Sequence, residues 1–268
     1  MKLKSKGLTT DLLLGNRVSR VIVFDDHIII DTPDNPKFFW GNYLIFRDSP
    51  KPNLIPHYIS SFEKYFKNIP NIGHIALTWD DIDCVVSNEL AAKFADLGFE
   101  ISTSSIMTAQ NISPKAIKLD GIEVRRIISN LDWGKVLRLQ ASMHNGFEPN
   151  EIYEMLEKRF EQYRCLIESG NGEWFGAFQG DRLVGDLGII FDDHVARFQN
   201  VETHPDFRQQ GICKALVNAA IKHVHECVGN IVFVIEAESS GLAEHIYQGF
   251  GFTKSENLIA VCRYDNSS

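Results

Sequence analysis

Val201–Leu216 reads VETHPDFRQQGICKAL. A strand runs in from Val195 and ends at Thr203, and Pro205 then removes a backbone donor and blocks further pairing. Arg208-Gln209-Gln210-Gly211 makes a tight turn, and an amphipathic helix starts at once and continues to about Cys227. A strand, a glycine-containing turn and a helix N-terminus together make an anion site. Free N–H groups point out of the turn, and the helix dipole is positive there. Such a turn can hold a pyrophosphate without a metal.

Outward from this stretch the pattern is regular. Downstream come a strand at Ile231–Ala237, a helix at Gly241–Gln248 and β structure from Phe252 to Tyr264. Upstream, a strand at Ile122–Ile128 leads to a helix that Asn130 can cap and that ends near Met143. A second helix starts at Pro149, a good first-turn residue, and ends near Ile167. Three β segments follow, Trp174–Gln179, Arg182–Phe191 and Val195–Thr203, with turn signals at Gly180-Asp181 and Asp192-Asp193. Asp192-Asp193-His194 places potential metal ligands side by side, but adjacent residues at a hairpin tip read as a turn.

The order of these elements, with Val201–Leu216 at its centre, resembles the GNAT superfamily of N-acetyltransferases. The family's acyl-CoA motif is [R/Q]-x-x-G-x-[G/A]. Arg208 and Gly211 match it, and Cys213 stands where Gly or Ala is usual. Leu242–Phe252 (LAEHIYQGFGF) resembles the A-x-x-L-Y-x-x-x-G-F element through Ala243, Tyr247, Gly251 and Phe252, with Ile246 for the usual Leu. Ser240 replaces the Asn often found seven residues before the Tyr, and Arg182–Gly185 (RLVG) resembles the family's strand start. The resemblance covers roughly Gly121 to Ser268. It implies an α/β (α+β) fold with a mixed, mostly antiparallel sheet flanked by helices. It implies acetyl-CoA as co-substrate, no metal, and acetyl transfer to a primary amine by direct attack in a ternary complex (EC 2.3.1 type). The backbone of Val201, Glu202 and Thr203 would pair with the pantetheine arm, with Ser240 and Tyr247 also at the cofactor. The turn residues Arg208, Gln209, Gln210, Gly211, Ile212, Cys213 and Lys214 would hold the pyrophosphate through their N–H groups.

Acetyl transfer needs the thioester in line with the amine, a stabilised oxyanion, and proton transfers from the amine and to the leaving thiolate. Tyr247 stands at the family's general-acid position, and a phenol with a pKa of about 10 is protonated at neutral pH. Its other reading is a core aromatic. The family's usual base positions fall on Gln199 and Arg197, and neither is a base at neutral pH. Glu202 and Glu236 are the tentative bases. Strand alternation should point Glu202 the other way, and Glu236 also reads as a solvated strand end. The side chain of Arg208 either meets phosphate or is solvated. Cys213 is either a packed small residue or a thiol whose pKa the helix N-terminus lowers. His204 reads as an exposed turn histidine or a residue at the cofactor mouth.

The first half carries a faint second copy. Its elements are strands at Val18–Phe24, His27–Asp31, Asn42–Phe46, Gly73–Trp79 and Phe99–Thr108, with helices at Leu54–Lys67 and Asn88–Leu97. Ala91–Phe99 (AAKFADLGF) parallels Ala243–Phe252, with Phe94 four residues before Gly98 as Tyr247 is before Gly251. Phenylalanine has no proton to give. Arg47–Pro56 (RDSPKPNLIP) follows the third strand, and Pro50, Pro52 and Pro56 delete the amide donors a pyrophosphate cradle needs. The expected organisation is tandem: residues 1–115 a degenerate GNAT-like domain without acetyl-CoA, joined through Ala109–Leu119 to residues 120–268, the acetyl-CoA-binding domain. The first would complete the substrate cleft or pack against the second. The alternative for it is an unrelated α/β domain. Phe38-Phe39-Trp40-Gly41-Asn42 is either core or pocket lining.

The whole-chain properties agree. A formal net charge of −8 lowers the weight of nucleic-acid binding and would attract cationic amines. Five cysteines, none in a CxxC pair, fit a reducing compartment rather than a disulfide or zinc framework. Leu12-Leu13-Leu14 is too short for a signal peptide's apolar region, and no run is long enough to span a bilayer, so the expectation is a cytoplasmic protein with no membrane partner. The acceptor is a small-molecule or peptide amine, and the chain a monomer or homodimer. The competing reading is a non-catalytic CoA or acetyl-CoA sensor or scaffold.

Overall fold

The computed structural model describes residues 2–115, 117–144, 149–239 and 241–264. In chain order the elements are α1 (Lys6–Val18), β1 (Arg20–Val23), β2 (His27–Asp31), β3 (Tyr43–Phe46), α2 (Ile55–Phe66), β4 (His74–Trp79), α3 (Asn88–Asp96) and β5 (Glu100–Ala109). Then come β6 (Glu123–Arg126), α4 (Asn130–Ala141), α5 (Pro149–Glu168), β7 (Gly172–Gln179), β8 (Arg182–Phe191), β9 (Val195–Thr203), α6 (Ile212–Val228), β10 (Val232–Glu238), α7 (Leu242–Gln248) and β11 (Thr253–Tyr264). The architecture is mixed α/β, mostly antiparallel strands flanked by helices.

Contacts divide the chain into two units. The first is Met1–Met107, Glu236–Tyr247 and Thr253–Ser268; the second is Thr108–Ile235 and Gln248–Phe252. The closing strand β11, which the sequence reading put in the 120–268 domain, lies in the first unit. It does so because it pairs antiparallel with β4, from Ala260–Thr78 to Tyr264–His74.

In the first unit the strand order is β1-β2-β3-β4-β11-β5. All of β3 (YLIF) and all of β4 (HIALTW) is buried, the continuous apolar run that a strand covered on both faces requires. The two strands are parallel, from Leu44–Leu77 to Phe46–Trp79, with α2 as the connection. The core is aromatic: Trp79 is fully buried, with Tyr58, Phe94 and Phe46 ring centroids 5.4, 5.9 and 6.2 Å away. α3 closes as its sequence requires. Gly98 sits at φ 77°, Phe99 N–H donates to Phe94 O and Gly98 N–H to Ala95 O, each 2.9 Å, which is the Schellman arrangement.

α1 has no counterpart in the sequence reading. Gly7, Thr9 and Thr10 are weak helix formers. What holds the helix is remote in sequence: Asp80, just after β4, accepts hydrogen bonds from Lys4 and Ser5, which lead into the helix, and Glu256 on β11 accepts from Ser5, Lys6 and Gly7.

The second unit orders its strands β10-β9-β8-β7-β6. β6 to β9 are antiparallel neighbours, and β10 joins β9 in parallel. The helix after β6 is capped by Ser129, whose Oγ accepts from Asp132 N–H at 3.1 Å, one residue before the expected Asn130. The faces of β8 divide the helices. A Cβ on Gly185 would come within 2.9 Å of Ile212 and 3.3 Å of Leu216 on α6, so glycine there permits close helix approach. The next side chain, Asp186, meets Gln140 of α4 instead, as strand alternation demands. On that face Trp174 lies across Gly188, where a Cβ would stand 2.2 Å from the indole. Trp133 and Phe160 pack on Trp174 with centroids 5.5 and 5.4 Å away.

Candidate active site

The site begins where regular pairing fails. β8 and β9 pair as Gly188–Gln199, then as Asp186–Glu202, so Asn200 and Val201 together oppose Leu187. Two residues against one is a β-bulge. Asn200 carries it in the left-handed region at φ 47°, which asparagine tolerates better than most side chains. On its other edge β9 pairs with β10 only at Val195, Ala196 and Arg197, although β9 runs on to Thr203. The bulge and this early parting bend the strand end away from a regular ladder.

The turn after β9 follows the sequence closely. Pro205–Phe207 forms one 3-10 turn. Gln209 and Gly211 both take positive φ, 64° and 82°, and α6 starts at Ile212. Ala215 N–H donates to Gly211 O at 3.0 Å, so the amides of Ile212, Cys213 and Lys214 precede the first intrahelical donor. A Cβ on Gly211 would only touch Leu119 at 3.4 Å; the glycine is required by φ, not by space. Arg208 folds back, its Nε–H donating to Thr203 O at 3.2 Å, and its charge opposes the rise of the Glu202 pKa. Exposed Gln209, Gln210 and Lys214 complete the surface of the turn.

Electrostatics here are set by burial. Desolvation raises the Glu202 carboxyl, partly offset by Arg208 and the Thr203 backbone. Burial pushes the Cys213 thiol up to about 11, with the negative charge of Glu202 adding to the effect and Lys214 opposing it. Of the two readings of Cys213, the direction of this shift, set first by burial, favours the packed residue over the activated thiol. His204 Nδ1 accepts from Asp206 N–H at 3.3 Å and Nε2 meets Arg182 at 3.0 Å, so it braces the 3-10 turn. Asp192 Oδ1 accepts from the N–H groups of His194 and Val195, which is the hairpin turn expected there.

The remaining sequence-predicted residues lie in the first unit. Tyr247, on α7, is 3% exposed. Glu236 is exposed, in the part of β10 that belongs to that unit. Ser240 lies outside the described residues.

Sequence reasoning missed a buried polar cluster behind the bulge. Asp186, fully buried on β8, accepts from Trp174 Nε1–H at 2.9 Å and from Gln140 Nε2–H at 3.1 Å to each oxygen. Gln140 Nε2–H also reaches Asn200 O, and Gln140 Oε1 accepts from Asn200 Nδ2–H, both at 3.2 Å. Tyr163 Oη lies 3.3 Å from both Gln199 Oε1 and Asn200 Oδ1 and accepts from Arg159 Nε–H at 2.8 Å. The available signal was a lone carboxylate in the apolar strand Arg182–Phe191 (RLVGDLGIIF).

Burial raises the Asp186 carboxyl to about 8; its two hydrogen bonds lower it and Glu202 raises it further. The folded chain then keeps a proton through a window, from about 4 to about 8, in which the unfolded chain has already lost it. Asp186 accordingly stabilises the fold fully below that window, and the contribution is lost as pH rises through it. From about pH 6 to about pH 9 the wild type should lose roughly 3 kcal/mol more than Asp186→Asn. Denaturant unfolding of both proteins at the two pH values measures this, and equal losses would refute the shift.

Comparison with known proteins agrees with this geometry. Residues 140–261 match the family model described as "Acetyltransferase (GNAT) domain". No curated protein matches the chain in sequence. Among solved structures, a functionally unknown conserved protein from Staphylococcus epidermidis superposes with TM-score 0.72 at 17% identity, covering 92% of this chain and 95% of that one. A GCN5-related N-acetyltransferase from Kribbella flavida gives TM-score 0.65 at 13% identity over 98% and 96%. A tandem GNAT protein from the clavulanic acid biosynthesis pathway gives 0.54 at 12% over 81% and 70%. These superpositions establish a shared fold, with coverage that takes in both halves of the chain. The first unit repeats the second's parallel strand–helix–strand order, β3-α2-β4 against β9-α6-β10.

Proposed function

Residues 140–261 of this chain are a domain of the GNAT acetyltransferase superfamily, and from that premise we propose that the protein transfers an acetyl group from acetyl-CoA to a primary amine within a ternary complex. The observation that carries the proposal is the left-handed Gly211 turn opening onto the free amides of α6. Such a terminus binds pyrophosphate. The residues present fit acetyl-CoA. The N–H groups from Arg208 to Lys214 take the pyrophosphate, and Cys213 is uncharged and small enough for the backbone to approach. The backbone of Val201 to Thr203 serves the pantetheine arm, because β10 no longer pairs beside it. Tyr247 donates the proton to the leaving thiolate. Glu202 is the better supported base of the two carboxylates, because burial raises its pKa toward the operating pH.

The first unit binds no acetyl-CoA in this reading. No residue from Arg47 to Leu54 has positive φ among the described residues, and Pro52 and Pro56 sit where amide donors would be needed.

Isothermal titration with acetyl-CoA and with CoA tests the proposal. One site per chain supports it. Two sites per chain refute the empty first unit, and no binding refutes the acyl-CoA reading. Gly211→Val must force a β-branched residue into φ 82°; the strain of about 1–2 kcal/mol moves the turn, and acetyl-CoA affinity should fall about ten-fold or more. Unchanged affinity would show that the turn is not the phosphate site. The absence of a carboxylate or imidazole at positions 197 and 199 favours one second reading, a CoA sensor, which would bind in the titration and release no thiol with any amine.

A further inference from the structure

The bulge at Asn200 is not explained by β9 alone. Its left-handed φ of 47° costs energy for any residue with a Cβ, and one ladder position is left unpaired. The compensation comes from α4 and β8. The Gln140 amide meets both the carbonyl and the side chain of Asn200. Its remaining donor capacity goes to Asp186, which Trp174 holds from the other side. Every group in this chain is used. Turning the Gln140 amide over would set its oxygen against the Asn200 carbonyl and its amino group against the Asn200 Nδ2–H, so Asn200 itself fixes which way Gln140 points.

We infer that Gln140 and Asp186 are positioning residues that latch Asn200 in its left-handed bulge and thereby fix where the free backbone of Val201 to Thr203 meets acyl-CoA. The inference rests on the acyl-CoA reading above. Neither residue touches the cofactor in it; both act through Asn200. Gln140 and Asp186 are 3% and 0% exposed and Asn200 is half-buried, so the bonds between Gln140 and Asp186 are shielded from water and those to Asn200 partly so. The charged or titratable group facing Asp186 directly is Glu202 on β9. From α5, Arg159 and Tyr163 reach it through Asn200, and the Tyr163 ring also packs on Trp174 with centroids 5.0 Å apart. α4 presents the neutral Gln140 and β7 the neutral Trp174.

Glycine adopts φ near 50° without penalty, and this gives the test a rescue that a merely structural residue would not show. In the full chain, Gln140→Leu should weaken acetyl-CoA binding about ten-fold by titration, the loss expected from two buried hydrogen bonds. Adding Asn200→Gly should recover most of that loss, because the bulge no longer needs holding. Tyr163→Phe removes only the hydroxyl at Asn200 and should weaken binding about two- to three-fold; it carries the test if Gln140→Leu fails to give a native circular dichroism spectrum. A folded Gln140→Leu that binds as the wild type does, or a loss that Asn200→Gly deepens, overturns the latch while leaving the acyl-CoA reading intact. A wild type that binds no acetyl-CoA overturns both.

Discussion

Tyr247→Phe should lower turnover by about 10²–10⁴-fold while leaving the acetyl-CoA dissociation constant unchanged, the range lost when a general acid is removed from a proton transfer. The substitution removes one oxygen and keeps the ring. Tyr247 is 3% exposed on α7, so a volume-conserving change preserves packing and isolates the proton. In the proposed reaction the leaving CoA thiolate needs that proton, and a phenol carries it at neutral pH. Turnover is read as free-thiol release with an amine found by screening, and affinity by titration. If the rate of the variant stays within two-fold of wild type, Tyr247 is a core aromatic, as Phe94 is in the first unit, buried beside Trp79. If the wild type binds but never releases thiol, the sensor reading takes its place.

The features legible in the sequence are local ones. The Gly211 turn could be read because a strand, a proline, a glycine and an amphipathic helix lie within sixteen consecutive residues, Val201 to Leu216, and backbone geometry follows from such neighbours. Gly98 was readable as a helix stop for the same reason, and Phe94–Phe99 closes as expected. The features not legible depend on residues far apart. β11 belongs with β4, a pairing across about two-thirds of the chain that no local pattern encodes. Asp186 looks like an oddity in an apolar strand until Gln140 and Trp174 are seen around it. Cys213 was read as either a packed residue or a thiol with a lowered pKa, because proximity to a helix start is visible in sequence and desolvation is not. Asn200 gave no sign of its left-handed backbone, since asparagine occurs in regular strands too.

The first unit keeps the parallel pair β3 and β4, and its stability depends on contacts remote from the Gly211 turn in sequence. Chief among them is the clasp on α1. Ser5 is fully buried, and its Oγ accepts from Leu8 N–H at 3.1 Å as an N-cap while donating to Glu256 at 2.5 Å. Glu256 accepts also from Lys6 N–H at 2.7 Å and Gly7 N–H at 3.3 Å. Asp80 accepts from Lys4 N–H at 2.8 Å and Ser5 N–H at 2.8 Å. Two carboxylates thus take the donors of a helix N-terminus, where the dipole favours negative charge. Close approach is possible because position 7 is glycine; a Cβ there would stand 2.7 Å from Ile106. Glu256→Ala takes the acceptor from the Ser5 hydroxyl and from the Lys6 and Gly7 amides, at about 1.5–3 kcal/mol for each charge-assisted bond before relaxation, so a total loss of about 4 kcal/mol is expected. Glu256→Gln keeps an acceptor and should cost about 1–2 kcal/mol. Denaturant unfolding followed by tryptophan fluorescence measures both, and limited proteolysis should cut near Lys4 and Lys6 in the alanine variant first. Equal stability of the alanine variant and wild type would mean that α1 docks through its apolar contacts with Ile106 and Leu258 alone. Acetyl-CoA binding serves as the control, because the clasp lies wholly in the first unit and the Gly211 turn wholly in the second. A variant that loses stability while its remaining folded fraction binds acetyl-CoA as before would separate what holds the first unit together from what the second unit does.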